Sequence, residues 1–166
     1  MKTIVSKDKT RIAYQRSGAG PPLVLVHGAV ADHTRWAPVV PALERHFTVY
    51  AMDRRGRGGS SDANEYAIER EFEDVAALVD SIDEPVNLLG HSFGAFCSLE
   101  AARLTPNIGR LMLYEPPPPG VKGALPPDVA ARMQTLLDAN DREGVVSTFL
   151  REVAGITAAE LEMLRA

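Results

Sequence analysis

The pentapeptide GHSFG at residues 90–94 has the form G-x-S-x-G and decides how the rest of the chain is interpreted. The apolar run before it, residues 86–89, predicts a buried strand, and residues 95–102 after it predict a helix. A strand, a sharp turn and a helix form the context in which this motif presents its serine as a nucleophile. The glycines of the motif let the strand and the helix approach each other. We therefore predict that the Ser92 hydroxyl lies at the carboxyl end of a strand, beside a helix N-terminus that favours negative charge.

The composition is that of an ordinary globular domain. The 166 residues are 45% hydrophobic and 24% charged, so one domain with a buried core is expected. A net charge of −4 without a basic run makes nucleic acid and an anionic membrane poor candidates as partners. The single cysteine, Cys97, fits a reducing compartment. The N-terminus lacks the apolar core of a signal peptide, and no apolar stretch approaches the length of a membrane span. We therefore expect a cytoplasmic protein.

Apolar runs alternate with amphipathic segments along the first two thirds of the chain. Strands are predicted at residues 3–6 and 11–16 (a hairpin), 23–26, 47–52, 86–89 and 110–114, and helices at residues 34–45, 68–82 and 95–104. This alternation predicts an α/β fold with an open, mostly parallel sheet and flanking helices. Such sheets carry their chemistry at the carboxyl ends of the strands, and four polar residues follow such ends: His27, Asp53, Ser92 and Glu115.

The chain changes character after Glu115, where a run of four prolines begins. Three helices are then predicted, at about residues 128–139, at 141–154 and from 157 onward. Thr157 and Glu160 have the spacing of a capping box. We assign residues 1–115 to the N-terminal part of the α/β core and residues 116–166 to an incomplete helical lid.

Three motifs in this order carry a resemblance to a known family: HGA at 27–29, D-x-R-G-x-G-x-S at 53–60 and the pentapeptide at 90–94. Together they resemble the α/β-hydrolase superfamily, and they are most similar to its esterase, enol-lactonase and non-metal haloperoxidase branches. The resemblance covers residues 1–115, and the lid by position only. It implies a serine nucleophile, an acid after a later strand, a histidine near the chain end and no cofactor. Because the sequence stops at Ala166, our hypothesis is that it is the N-terminal portion of a longer hydrolase, whose remainder is a separate chain or is absent.

The resemblance also implies the parts of an active site. Ser92 is the expected nucleophile, and the backbone N–H groups of Phe93 and Ala29 are the expected donors to an oxyanion. Trp36 and Phe93 fit a core position as well as a place in the pocket. The side chains and backbone expected around the substrate pocket are those of His27, Gly28, His33 and Trp36.

The general base is not expected among the four histidines of the sequence. His46 precedes a strand and so lies at the opposite edge of the sheet, and the turn should aim the His91 ring away from the serine. His27 is expected to order the loop after the strand at 23–26, which carries Ala29 (the oxyanion loop), and His33 to line the pocket. Glu115 is considered as the catalytic acid because it ends a strand on the correct side. The alternative for Glu115 is a buried carboxylate that anchors the lid or caps a turn.

The glycine-rich loop at residues 53–60 is predicted to be a turn and not a phosphate-binding loop, because Ser61 stands where that motif needs its last glycine. Within the loop we expect Asp53 to pair with Arg55. Cys97 is predicted to be a small buried hydrophobe. No cluster of histidine, cysteine and carboxylate residues has metal-ligand spacing, so no metal is expected.

Two functions from different classes are compatible with these residues. The first is a serine hydrolase that cleaves a small carboxylic ester or lactone through an acyl-enzyme, with its histidine and acid supplied by sequence beyond residue 166. Dehalogenases and epoxide hydrolases of the resembled fold use aspartate where Ser92 stands, which disfavours both. The alternative is a non-catalytic small-molecule binding protein on the same fold. A third possibility is an unstable fragment, in which the strand at 110–114 exposes an edge.

Overall fold

The computed structural model describes residues 1–116 and 125–165. The chain forms two compact units, Met1–Pro118 and Pro119–Ala166. The first unit carries a sheet with helices on both faces, and the predicted α/β class with a mostly parallel sheet is confirmed. The second unit is helical. None of the described helices is long and apolar enough to cross a membrane.

The sheet of the first unit has the strand order β1-β2-β4-β3-β5-β6. Its strands are β1 (Lys2–Val5), β2 (Arg11–Ser17), β3 (Pro22–Val26), β4 (Thr48–Met52), β5 (Val86–His91) and β6 (Ile108–Tyr114). β1 and β2 form the predicted antiparallel hairpin, and β2 pairs antiparallel with β4. The other pairs are parallel, with Val26 of β3 opposite both Met52 and Gly90. This register brings the carboxyl ends of β3, β4 and β5 to one edge of the sheet. The carboxyl end of β6 lies at the same edge, because Tyr114 pairs with His91.

Three helices accompany these strands: α1 (Val40–Leu43), α2 (Ile68–Asp80) and α3 (Phe93–Ala101). The single helix predicted over residues 34–45 is wrong. The segment forms a short 3-10 turn, His33–Trp36, followed by α1. Pro38 and Pro41 cause the break, because neither has an N–H to donate to a continuous helix.

The core lies on both faces of the sheet, and β3 is buried along its whole length. Val24 and Val26 of β3 pack on one side with α2 and α3, through residues such as Leu78. Leu23 and Leu25 point to the other side and pack with Trp36. This division follows from the period of two in a strand, and it explains why β3 is a continuous apolar run.

The second unit contains α4 (Pro127–Asp138), α5 (Arg142–Glu152) and α6 (Ala158–Arg165), close to the predicted positions. Arg132 of α4 pairs with Glu152 of α5. The predicted capping box is present before α6. The Thr157 backbone N–H donates to the Glu160 carboxylate at 2.9 Å, and the Glu160 N–H lies 3.3 Å from the Thr157 hydroxyl. Residues 117–124, which include most of the proline run, lie outside the described residues.

Candidate active site

Ser92 occupies a strained turn between β5 and α3. Its φ of +52° and ψ of −122° are rare for a residue with a side chain. A Cβ at Gly94 would lie 2.4 Å from the carbonyl oxygens of Val26 and His27, and a Cβ at Gly90 would lie 2.4 Å from the Gly94 oxygen. The two glycines are therefore required for the close approach predicted from the motif. The Ser92 N–H donates to the Tyr114 carbonyl at 2.9 Å, which ties the turn to β6.

The loop after β3 approaches this serine. A Cβ at Gly28 would lie 3.2 Å from the Cβ of Ser92. The Ala29 N–H donates no hydrogen bond to any described residue. Phe93 is the first residue of α3, so its N–H has no acceptor within the helix. Val30 adopts φ +48°, a strained conformation for a β-branched residue, directly after Ala29. The edge of the sheet thus combines a hydroxyl with two uncommitted backbone donors, which is the chemistry that an oxyanion site requires.

His27 supports this loop from inside the protein and does not line a pocket. Its ring is 0% exposed. Nδ1 lies 2.9 Å from the Gly28 oxygen, and Nε2 accepts the Arg54 backbone N–H at 3.1 Å. The ring is therefore neutral with its proton on Nδ1. Burial lowers the pKa of His27 to about 4, and the nearby Arg54 charge acts in the same direction. The expected pocket position of His27 is corrected, whereas its expected role in ordering the loop agrees with these contacts.

The depressed pKa of His27 predicts a loss of stability in mild acid. The imidazole has a pKa of 6.5 in the unfolded chain and about 4 in the fold. Between these values the unfolded chain binds a proton that the folded chain does not, so stability falls as pH falls from 6.5 towards 4. The full loss is on the order of 3 kcal/mol. Urea unfolding at a series of pH values measures it. His27→Gln, compared over the same pH range, should show a shallower slope, and equal slopes would contradict the assignment.

Two adjacent arginines follow β4 and are buried against α2. Arg54 donates to Glu71 through Nε at 2.8 Å and Nη2 at 2.6 Å. Arg55 donates to Asp74 through Nε and Nη2, each at 2.7 Å, and to Asp8 at 2.9 Å. Glu71 and Asp74 are one turn apart on the buried face of α2, and sequence reasoning missed both. The available signal was two acids at the spacing of an otherwise apolar helix face.

The expected pairing of Asp53 with Arg55 is wrong, because Arg55 turns away to α2. Asp53 is 0% exposed and accepts three hydrogen bonds, each at 2.8 Å. The donors are the His33 backbone N–H, His33 Nδ1 and the Gly59 N–H. The half-buried His33 ring is therefore held by Asp53 at the edge of the sheet, in the region where a pocket residue was expected.

Asp32, His33 and Asp53 place three potential metal-ligand atoms within 4.8 Å of one another. The sequence showed no such spacing because the fold brings together residues from separate loops. In this structure Asp32 accepts from the Thr34 N–H at 2.8 Å and from its hydroxyl at 2.6 Å, while Asp53 is bonded as described above. Both carboxylates therefore stabilise the loops in which they lie, through hydrogen bonds to neighbouring residues.

Trp36 packs in the core, which is one of the two positions expected for it. It is 9% exposed and packs with β3 and β4 residues such as Leu25. Its ring meets the His91 ring edge-on, at 6.4 Å between centroids and 79° between planes. Cys97 is buried as predicted, and burial raises the pKa of its thiol to about 12, so the thiol is protonated and unreactive at neutral pH.

Glu115 follows β6 with a φ of +49°, so this strand also ends in a strained residue. Its side chain is 70% exposed, and Oε2 lies 3.7 Å from Nε2 of His91. The alternative of a buried carboxylate is therefore wrong. His91 stacks on Tyr114 at 5.2 Å, and burial, together with the Arg35 charge, lowers its pKa. All four histidines lie in the described part of the chain, and none has a hydrogen bond to the Ser92 hydroxyl.

A mostly parallel α/β sheet with a strained serine between a strand and a helix defines a class of hydrolase folds. Comparison with known proteins gives the same class. Residues 23–165 match the model of the alpha/beta hydrolase family, so the chain belongs to that family. The resemblance inferred from the three motifs is confirmed.

Individual relatives show how much of a hydrolase the chain spans. N-formylmaleamate deformylase of Pseudomonas putida is 36% identical over 121 residues, which cover 70% of this chain and 45% of the deformylase. Pimeloyl-[acyl-carrier protein] methyl ester esterase of Methylococcus capsulatus is 34% identical over 92 residues, 55% of this chain and 35% of the esterase. The solved structure of an alpha/beta hydrolase from Sphaerobacter thermophilus matches with a TM-score of 0.87 at 41% identity, over 99% of this chain and 65% of that one. The chain thus spans less than half the length of these two curated relatives.

Proposed function

We propose that Ser92 is the nucleophile of a hydrolase that cleaves a small carboxylic ester or lactone through an acyl-enzyme. The observation that carries the proposal is the strained Ser92 turn beside two N–H groups, of Ala29 and Phe93, that have no acceptor among the described residues. Membership of the alpha/beta hydrolase family supports hydrolysis in general. The names of the two curated relatives, a deformylase and a methyl ester esterase, support attack on an acyl carbon.

The reaction has two steps. The Ser92 oxygen attacks the carbonyl carbon while a histidine takes the hydroxyl proton, and the resulting oxyanion is held by the N–H groups of Ala29 and Phe93. The carbon–oxygen bond to the alcohol then breaks, and the histidine protonates the leaving oxygen. Water, deprotonated by the same histidine, then attacks the acyl carbon. The bond from that carbon to the Ser92 oxygen breaks, and the histidine returns the proton to Ser92 as the acid leaves. In a lactone the alcohol and the acid belong to one molecule.

We propose that the histidine is supplied by sequence beyond residue 166, as part of the same protein or as a separate chain. The bonding of the four histidines supports this, because His27 and His33 are committed to Gly28 and Asp53, and His91 faces Glu115. The catalytic acid is assigned to the same remainder. Glu115 is the alternative acid within this chain, since it stands at the carboxyl end of β6 with an exposed carboxylate.

Burst kinetics with p-nitrophenyl acetate test the proposed chemistry. The protein that contains the histidine should release one equivalent of p-nitrophenol quickly and then turn over slowly. Acid quenching and peptide mapping should place an acetyl group on Ser92. Ser98→Ala, which removes another serine of the same helix region, should leave the burst unchanged. Binding of an ester without a burst or an adduct would instead support the non-catalytic binding protein. Residues 1–166 alone should show the burst only after the remainder is added.

A further inference from the structure

We propose that Arg54 is a positioning residue that sets the direction of the Ala29 N–H and thereby completes the oxyanion site. The inference rests on the proposed function, and it concerns a residue outside the three parts of that site already named. Arg54 is the variable residue of the D-x-R-G motif, so the motif itself assigns it no role.

The geometry of one peptide unit carries the inference. The Gly28 carbonyl and the Ala29 N–H belong to the same planar trans peptide, so they point in opposite directions. The Gly28 oxygen accepts from Arg54 Nη1 at 2.9 Å and lies 2.9 Å from the donor Nδ1 of His27. Two buried donors on this oxygen fix the plane of the peptide. The Ala29 N–H is thereby held away from the protein interior, and a rotated peptide would leave the buried donors unsatisfied.

The guanidinium is itself held rigidly. The Arg54 side chain is 4% exposed and makes two hydrogen bonds to Glu71, which is also buried. The backbone N–H of Arg54 binds Nε2 of His27, whose Nδ1 shares the Gly28 oxygen with Arg54 Nη1. These contacts form a closed ring of hydrogen bonds. A group fixed in this way can direct a neighbouring peptide without ordering itself first.

The second proposed donor is in contact with the same charge. The Cζ atom of Arg54 lies 4.5 Å from the ring centroid of Phe93, a cation–π distance. One guanidinium therefore contacts both the Gly28 carbonyl, whose peptide carries the Ala29 N–H, and the ring of Phe93. Ala29 and Phe93 are the two proposed oxyanion donors. The hydrogen bond from a charged donor to the Gly28 carbonyl also polarises that peptide, which strengthens the Ala29 N–H as a donor.

The chain offers a matched control in Arg55. It is as buried as Arg54, at 2% against 3% exposed, and it is paired with an acid one turn further along α2, Asp74. Its other partners are Asp8 and the Arg70 carbonyl, so it has no hydrogen bond to the Gly28 loop. Arg54→Lys and Arg55→Lys both keep the positive charge and both lose the planar guanidinium with its several N–H donors. They differ in whether the lost bond belongs to the oxyanion loop.

The rate of phosphonylation by a fluorophosphonate and the kcat and KM of ester hydrolysis test the inference. Arg54→Lys should lower the phosphonylation rate and kcat by about tenfold to a hundredfold, because one oxyanion donor is worth about 10²–10³ in kcat. KM should change little, and Arg55→Lys should retain both rates although its Tm also falls. If Arg54→Lys does not fold, the double variant Arg54→Met with Glu71→Met replaces the pair by apolar side chains and should show the same loss. Equal rates in the two lysine variants would overturn the inference.

A crystal structure of the Arg54→Lys variant separates this inference from the proposed function. Rotation or disorder of the peptide between Gly28 and Ala29 supports the positioning role, and an unchanged peptide overturns it. This result stands even if the wild-type protein fails to react with the fluorophosphonate. That failure would count against Ser92 as an activated nucleophile and would leave the structural result to decide the role of Arg54.

Discussion

Ser92→Ala is expected to lower the turnover of ester substrates by about 10⁴-fold or more, because it removes the atom that forms the acyl-enzyme. The loss should fall on kcat, while substrate binding persists. The melting temperature should change little, since the Ser92 hydroxyl has no hydrogen bond to a described residue and alanine keeps the same strained backbone. Steady-state kinetics with a chromogenic ester and thermal unfolding measure the two effects.

A glycine at the same position provides the contrast. Ser92→Gly removes the hydroxyl as well, but glycine adopts a φ of +52° without the cost that a side chain imposes. It should therefore be as inactive as Ser92→Ala and more stable than it by on the order of 1 kcal/mol. Appreciable turnover in either variant would remove Ser92 from the proposed mechanism.

Gly94→Ala is expected to destabilise the first unit by more than about 3 kcal/mol, above the usual cost of an overpacked core. The new Cβ would lie 2.4 Å from two backbone oxygens, of Val26 and His27, and backbone atoms cannot turn aside as a flexible side chain can. The clash would separate β3 from α3 at the point where Ser92 and the oxyanion loop meet. Urea unfolding gives the change in free energy.

Gly109→Ala in β6 is the matched control for this effect. The nearest atom to its Cβ would be the Pro85 Cβ at 3.4 Å, an ordinary van der Waals contact. We expect a change of less than about 1 kcal/mol in the free energy of unfolding. Similar losses in Gly94→Ala and Gly109→Ala would show that the close approach of strand and helix is not what the glycine provides.

Of the four strands whose carboxyl ends meet at the candidate site, β3, β5 and β6 each lead into a strained residue. Val30 follows the end of β3 within the oxyanion loop, Ser92 follows β5 and Glu115 follows β6, all with φ near +50°. Strain of this kind persists where surrounding structure fixes it, and it concentrates at functional sites. Here the hydrogen bond from Ser92 to Tyr114 holds the serine turn, and the hydrogen bond from Arg54 to Gly28 holds the loop after β3.

The order of strands and helices could be predicted from the sequence because each element carries its own hydrophobic period. The run at 23–26 is apolar throughout because both faces of β3 are covered. Positions 90 and 94 are glycine because any Cβ there would clash with neighbouring backbone. The helix predicted across Pro38 and Pro41 is wrong because an apolar period does not compensate for two missing N–H donors.

Contacts between distant segments could not be predicted in the same way. The pairing of Arg54 with Glu71, and of Arg55 with Asp74, depends on how α2 lies against the loop after β4. A charge run such as Asp53 to Arg55 suggests local pairing when only neighbours along the chain are visible. The sequence also leaves the position of Trp36 undecided, because an aromatic residue near the site fits a pocket and a core alike until its burial is known.

Fluorophosphonate labelling of the native protein, followed by intact mass and peptide mapping, tests most directly whether Ser92 is an activated nucleophile. We expect a single adduct on Ser92 that is absent from Ser92→Ala and retained in Ser98→Ala. Labelling also requires a histidine within reach of the hydroxyl, so the same spectrum identifies any second chain that supplies it. A folded protein that forms no adduct, or forms it on another residue, would contradict the proposed hydrolase mechanism.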